Sequence, residues 1–141
     1  MKAYNGFSAL QRNKAQAWLN KQWSAGKLQR PMQCCSCKIT EGIIDAHAED
    51  YSKPFAAGKT DQYHLCYRCH LMLHCRFANP KNFAHYCQMV YEGTQYQPFY
   101  QRNWVQFSRE CLNEFNAPVY GVSMETTNIL ANIHANISAE Q

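Results

Sequence analysis

No stretch of the 141 residues approaches the ~18 consecutive apolar positions of a membrane span. The first residues, Met1-Lys2-Ala3-Tyr4-Asn5-Gly6-Phe7, hold neither an apolar targeting core nor a small-residue cleavage site. A soluble, cytoplasmic protein without a membrane partner is therefore expected. Basic residues are missing altogether after Arg109, where four acids follow with no Lys or Arg. Up to that point fourteen basic side chains face six acidic ones, so the whole-chain charge of +4 conceals +8 on residues 1–109 and −4 on 110–141. A local excess of that kind suits neutralisation of phosphates, the dominant contribution to nucleic-acid affinity. Internal repeats and low-complexity segments are also absent, apart from one recurring cysteine pair, and the length fits a single domain with its own core.

The chain does have cysteine. Eight cysteines in a cytoplasmic setting point to metal binding or buried thiols, because cellular reductants keep disulfides rare. Spacing separates the two uses. Cys34-x2-Cys37 and Cys66-x2-Cys69, with 28 residues between them, are two knuckles that each offer two thiolates to one tetrahedral ion. A closed four-sulfur set leaves no position for substrate, so zinc held there would support the fold and not catalyse. Cys35 is an alternative to Cys34 in the first knuckle, and Cys75 lies near the second. Cys87 and Cys111 fall on apolar helix faces and read as core thiols.

Periodicity outlines the rest. Phe7, Leu10, Trp18 and Leu19 predict a helix over 8–22 with Ser8 as N-cap, ending before Gly26. Residues 26–31 lead as a loop into the first knuckle, and 39–46 alternate as a strand interrupted by Gly42. The polar, turn-rich segments 49–54 and 58–61 read as loop. A helix is expected over 69–77, stopped by Asn79-Pro80, then helices over 81–91, closed by Gly93, and over 99–115, ended by Pro118. Ile129, Leu130, Ile133 and Ile137 have helical spacing in the tail, which offers a surface for the body or for a second copy of the chain.

Between the knuckles lies Ile44-Asp45-Ala46-His47-Ala48-Glu49-Asp50-Tyr51, and the second knuckle runs directly into His70-Leu71-Met72-Leu73-His74. Histidines at i and i+4 stack on one helix face, where they can share a metal. Together with Leu65-Cys66-x2-Cys69-His70, this arrangement resembles the HNH family of ββα-metal endonucleases, in the subgroup stapled by four cysteines, over about residues 34–77. The resemblance implies an α+β fold: a small zinc-stapled ββα-metal core at 34–79, an N-terminal helical extension at 1–33 and a C-terminal one at 80–141, all in one domain. It implies metal-dependent hydrolysis of DNA, double-stranded in the usual case, as in restriction, phage and mobile-element nucleases. His47 takes the position of the general base, and His70 and His74 match the two-histidine metal set of colicin-type nucleases. Asp45 and Asp50 are candidates for an oxygen ligand or, with Glu49, for orienting the His47 imidazole. Imidazole ligands allow manganese, nickel or zinc as well as magnesium.

The family usually places a metal ligand directly before the base, whereas Ala46 and Ala48 flank His47. If His47 is instead the first of a His-His pair, Ala48 stands at the base position and the chain is an inactivated variant. The rival class is a non-catalytic zinc-knuckle nucleic-acid-binding module. Arg68, Arg76 and Lys53 are the leading phosphate contacts, with Lys59, Arg102 and Arg109 behind them, while Tyr51, Tyr63 and Tyr67 are read as packing residues. Asp61 falls near the family's middle Asn. Cutting both strands with one site per chain calls for a homodimer.

Overall fold

Ser8 opens the first helix. Its hydroxyl accepts the Gln11 N–H at 3.1 Å while the Gln11 side chain accepts the Ser8 N–H at 2.8 Å, a reciprocal cap for donors the helix itself leaves unpaired. This helix, α1 (Ala9–Ser24), closes at Ala25 and Gly26, close to the expected span. The structure is a computed structural model and describes residues 2–52, 55, 62–112 and 119–122. The chain forms two units, Met1–Pro31 with Ala46–Tyr63, and Met32–Asp45 with His64–Gln141. Helices and short strands alternate along it, an α+β composition.

The first unit contains α1 and a tight N-terminal turn. Tyr4 and Phe7 exchange backbone hydrogen bonds at 2.9 Å across Asn5 and Gly6, both at positive φ (52° and 82°), which is why this turn takes an Asn-Gly pair. Tyr4 and Phe7 then pack edge-on against Tyr51, and Trp18 of α1 meets Phe55.

Strands β1 (Ile44–Ala48) and β2 (Gln62–Cys66) form a two-stranded sheet. The strand expected over 39–46 is thus shifted toward the C-terminus. Residues 39–43 are held otherwise: Gly42 sits at φ +78°, and a Cβ there would lie 2.6 Å from the Phe99 carbonyl oxygen. Only glycine lets the two backbones approach so closely, and the Ile43 N–H uses the space to donate to that same oxygen at 2.8 Å.

In the second unit β2 passes without a linker into α2 (Tyr67–His74), whose first N–H bonds the Ile43 carbonyl at 3.1 Å. The helix begins earlier and ends earlier than the expected 69–77, so His74 is its last residue. Next, α3 (Pro80–Tyr91) has proline in its first turn, where a missing N–H costs nothing, and it ends at Glu92 and Gly93 as the sequence foretells. Its buried stripe is Phe83, Tyr86 and Val90.

Two findings depart from the expected C-terminal helix. Thr94–Tyr96 (β3) pairs antiparallel with Val119–Val122 (β4), with an irregularity between Gln95 and Tyr96. Helix α4 is only Trp104–Phe107, continuing as a π-helical turn over Ser108–Leu112, and residues 99–103 lie outside it. Phe99, the first residue of the expected helix, packs instead on Tyr67 with ring centroids 5.1 Å apart, and Asn103 caps α4 through its side chain. Residues 113–118 and the tail beyond 122 lie outside the described residues, and with them the end of that helix at Pro118 and the candidate contact surface. Among the described residues no helix is long and apolar enough to cross a membrane.

Candidate metal centres

The knuckle spacing does what it implies. Cys34, Cys37, Cys66 and Cys69 are each at most 2 % exposed, and their sulfurs all lie within 4.8 Å of one another. Four thiolates ~2.3 Å from one tetrahedral ion stand about 3.8 Å apart. The Cys37 and Cys66 Sγ atoms are 3.8 Å apart. Local backbone builds the first knuckle: Lys38 at φ 71° returns its N–H to the Cys34 carbonyl, and the Cys37 N–H points to Cys34 Sγ at 3.4 Å. The Cys35 N–H bonds the His64 carbonyl at 2.8 Å, tying that knuckle to β2.

Charge shows what the cluster needs. Burial and the neighbouring sulfurs push the Cys69 thiol well above its ordinary value. The neighbouring sulfurs, with burial, do the same to Cys66, while hydrogen bonds from the other three, against burial, hold Cys34 well below its own. Four sulfurs this close cannot all carry charge unless a cation lies among them. The donor set fits a structural metal such as zinc. Cys35, half-buried and pushed up to about 12 chiefly by burial, is outside the cluster, which leaves Cys34 as the first knuckle's leading sulfur. Behind the cluster the Tyr86 hydroxyl meets Ser36 Oγ at 3.1 Å, both side chains being buried. Cys87 is half-buried on α3, and burial pushes its thiol up to about 11.

A second group forms on α2 in the same unit. The i, i+4 spacing brings His74 Nε2 to 3.0 Å from His70 Nε2. Two imidazole nitrogens ~2.0–2.1 Å from one tetrahedral ion would stand about 3.3 Å apart, so the pair has nearly the separation of two metal ligands. The other nitrogen of His70, Nδ1, lies 3.2 Å from Asp45 Oδ2, and the Arg102 guanidinium grips Asp45 at both oxygens, at 2.9 Å and 2.6 Å. Burial alone would raise the Asp45 carboxyl, but hydrogen bonds from His70 and Arg102 and their charge hold it far below the usual carboxylate range. Both Asp45 oxygens are thereby engaged, so Asp45 supports His70 and does not stand as a free oxygen ligand.

In the first unit His47 is 1 % exposed, and its Nε2 lies 2.6 Å from Glu49 Oε1. Glu49 is itself clamped by the Tyr4 hydroxyl at 2.8 Å and by Asn5 Nδ2, which donates to its carboxylate and to its carbonyl. Among the acids close in sequence, Glu49 orients the imidazole. Asp50 instead accepts the Ser52 N–H at 2.8 Å and shapes a turn.

Two of the basic candidates are buried. Arg68 is 1 % exposed, donates to Glu110 Oε2 at 2.8 Å, and lies over the rings of Tyr96 and Phe99 at 5.4 Å and 5.0 Å. Arg76 is 5 % exposed, donates to the Leu73 carbonyl and stacks on Phe77. Both side chains are thus buried in the second unit. Tyr67 and Tyr51 pack as expected. Lys53, Lys59 and Asp61 lie outside the described residues, as does the side chain of Cys111. Sequence reasoning underrated Arg102, whose partner Asp45 stands 57 positions away with no local signal joining them.

Compared with known protein families, with curated protein sequences and with solved structures, the chain matches none.

Proposed function

We propose that this protein is an HNH-type endonuclease that hydrolyses DNA phosphodiester bonds, with structural zinc on Cys34, Cys37, Cys66 and Cys69 and a second divalent cation on His70 and His74. The observation that carries the reading is the order of β1, β2 and α2. A cysteine pair at the strand-to-helix junction feeds a short helix whose two histidines converge, 3.0 Å apart, with a carboxylate behind the first. This order supports the ββα-metal reading, and the second pair of donors favours it over a simple zinc knuckle.

When bound, the cation supplies Lewis-acid stabilisation of the scissile phosphate and of the leaving oxygen. The protein's own residues supply the rest. His47 follows Asp45 by two residues on β1, the spacing that brings alternate side chains to one face of a strand. Glu49 accepts hydrogen bonds from Tyr4 and Asn5, and its Oε1 lies 2.6 Å from His47 Nε2, which orients the imidazole. The imidazole so held is the group that would take a proton from water, a role typically worth ~10²- to 10⁴-fold. With Arg68 and Arg76 buried, phosphate neutralisation would fall to exposed cations such as Arg109.

A plasmid-nicking assay with added magnesium, manganese or nickel tests the reading beside a gel-shift assay. The wild type should nick, and His47→Ala should abolish nicking with zinc content and DNA binding retained. DNA binding without nicking by the wild type would instead identify a non-catalytic zinc-knuckle module or an inactivated nuclease.

A further inference from the structure

His70 has a ring nitrogen on each side of a decision. Its Nδ1 is 3.2 Å from Asp45 Oδ2 and its Nε2 is 3.0 Å from His74 Nε2. An ionised carboxylate only accepts, so the hydrogen bond to Asp45 places the His70 proton on Nδ1 and leaves the Nε2 lone pair facing His74. Asp45 is ionised because Arg102 meets it with two nitrogens, a fork-to-fork pairing that also fixes the plane of the carboxylate. The Arg102 guanidinium is itself held over the Tyr67 ring at 5.8 Å, and Tyr67 is the first residue of α2, the helix that carries both histidines. Gly42 completes the geometry from the other side. Its close approach to the Phe99 carbonyl joins the residues leading into Asp45 to the segment that leads to Arg102.

From this chain of contacts we infer that Asp45 and Arg102 are positioning residues for a metal site on His70 and His74: Arg102 orients Asp45, and Asp45 sets the tautomer and ring plane of His70. The inference rests on the second-cation part of the proposed function and not on DNA cleavage. Asp45 acts through His70, and Arg102 acts through Asp45. Carboxylate partners of metal-bound imidazole typically contribute 10- to 100-fold in affinity, because without them the ligand loses orientation and basicity.

The test is titration of the full-length, zinc-loaded chain with Ni2+ by calorimetry, with zinc content and folding checked in parallel. Wild type should bind one Ni2+ beyond its zinc, and His70→Ala and His74→Ala should abolish that binding. Asp45→Asn should weaken it about 10- to 100-fold. Arg102→Ala should weaken it less, and Arg102→Lys should recover part of the loss. The double variant should match Asp45→Asn alone, since Arg102 has nothing left to act through. Arg102 is 62 % exposed, so its variants test the inference without threatening the fold. A purely structural salt bridge would lower stability in Asp45→Asn and leave Ni2+ affinity unchanged. That result overturns the inference and spares the nuclease reading. Absence of any second ion in wild type overturns the inference and the proposed cation together. A wild type that binds Ni2+ with the expected Asp45 dependence but never nicks DNA upholds the inference and removes the nuclease.

Discussion

Replacing Arg68 with alanine separates two roles that the sequence leaves equal. In the interior role its loss leaves the Glu110 carboxylate without its cationic partner, with only the Gln106 amide still donating to it, and empties the space beneath two aromatic rings. Breaking a buried ion pair by removing one member costs ~3–5 kcal/mol when the remaining charge is trapped. Glu110 is 21 % exposed, so water recovers part of its solvation and the charge contribution falls toward the lower end of that range. Two cation–π faces on a desolvated guanidinium add about 1–2 kcal/mol each at most, and they overlap with the packing loss. A total of about 3–5 kcal/mol follows, a large share of the ~5–15 kcal/mol that holds a typical domain folded. Urea unfolding of zinc-loaded protein should show it as a lower midpoint with little change in slope. The companion variant Arg68→Met with Glu110→Leu should recover much of the loss, because apolar pairs of similar volume replace buried ion pairs at little cost. In the phosphate-contact role the pattern inverts. Stability would be untouched, DNA affinity would fall, and the dependence of log affinity on log salt would flatten by about one unit. An Arg68→Ala protein with wild-type urea stability would refute the burial argument.

The cysteine cluster makes a sharper prediction. Structural zinc contributes ~10–16 kcal/mol of apparent binding energy in small zinc domains, more than most domains have in net stability. Cys66→Ser, or exhaustive chelation of the wild type, should therefore unfold the second unit, seen as lost helical circular dichroism with no metal retained by native mass spectrometry; a fully folded metal-free chain would contradict the role. Cys87 predicts an alkaline effect. Burial raises its folded value to about 11, above the 9.0 of a free thiol, so its contribution is complete below about pH 9 and is lost as pH rises toward 11. The stability gap between wild type and Cys87→Ala should narrow over that window, and a constant gap would show that the thiol is not held neutral.

Much of the local architecture is legible in the sequence because its causes are local. Ser8 and Gln11 cap α1 through contacts three residues apart, Pro80 and Gly93 bracket α3, and each cysteine pair, like the His70-x3-His74 step, presents its own two donors through local backbone geometry. What tertiary structure decided depends on partners far apart in the chain. Pairing of Thr94–Tyr96 with Val119–Val122 takes a strand of three residues that has no periodicity of its own to announce it. The same holds for charge. A guanidinium reads the same in sequence whether it meets phosphate or Glu110, and only the walls built by Tyr96 and Phe99 turn Arg68 inward. Arg102 goes the other way, from a marginal candidate to the partner of Asp45, because the close passage at Gly42 brings two distant segments together. Spacing along the chain thus determined which residues can offer paired donors to an ion, through the short reach of one turn or one knuckle, while the meeting of the two knuckles needed the fold. Which charges stand free and which are spent holding another side chain in place depends on burial and long-range pairing, and these exist only once the chain has folded.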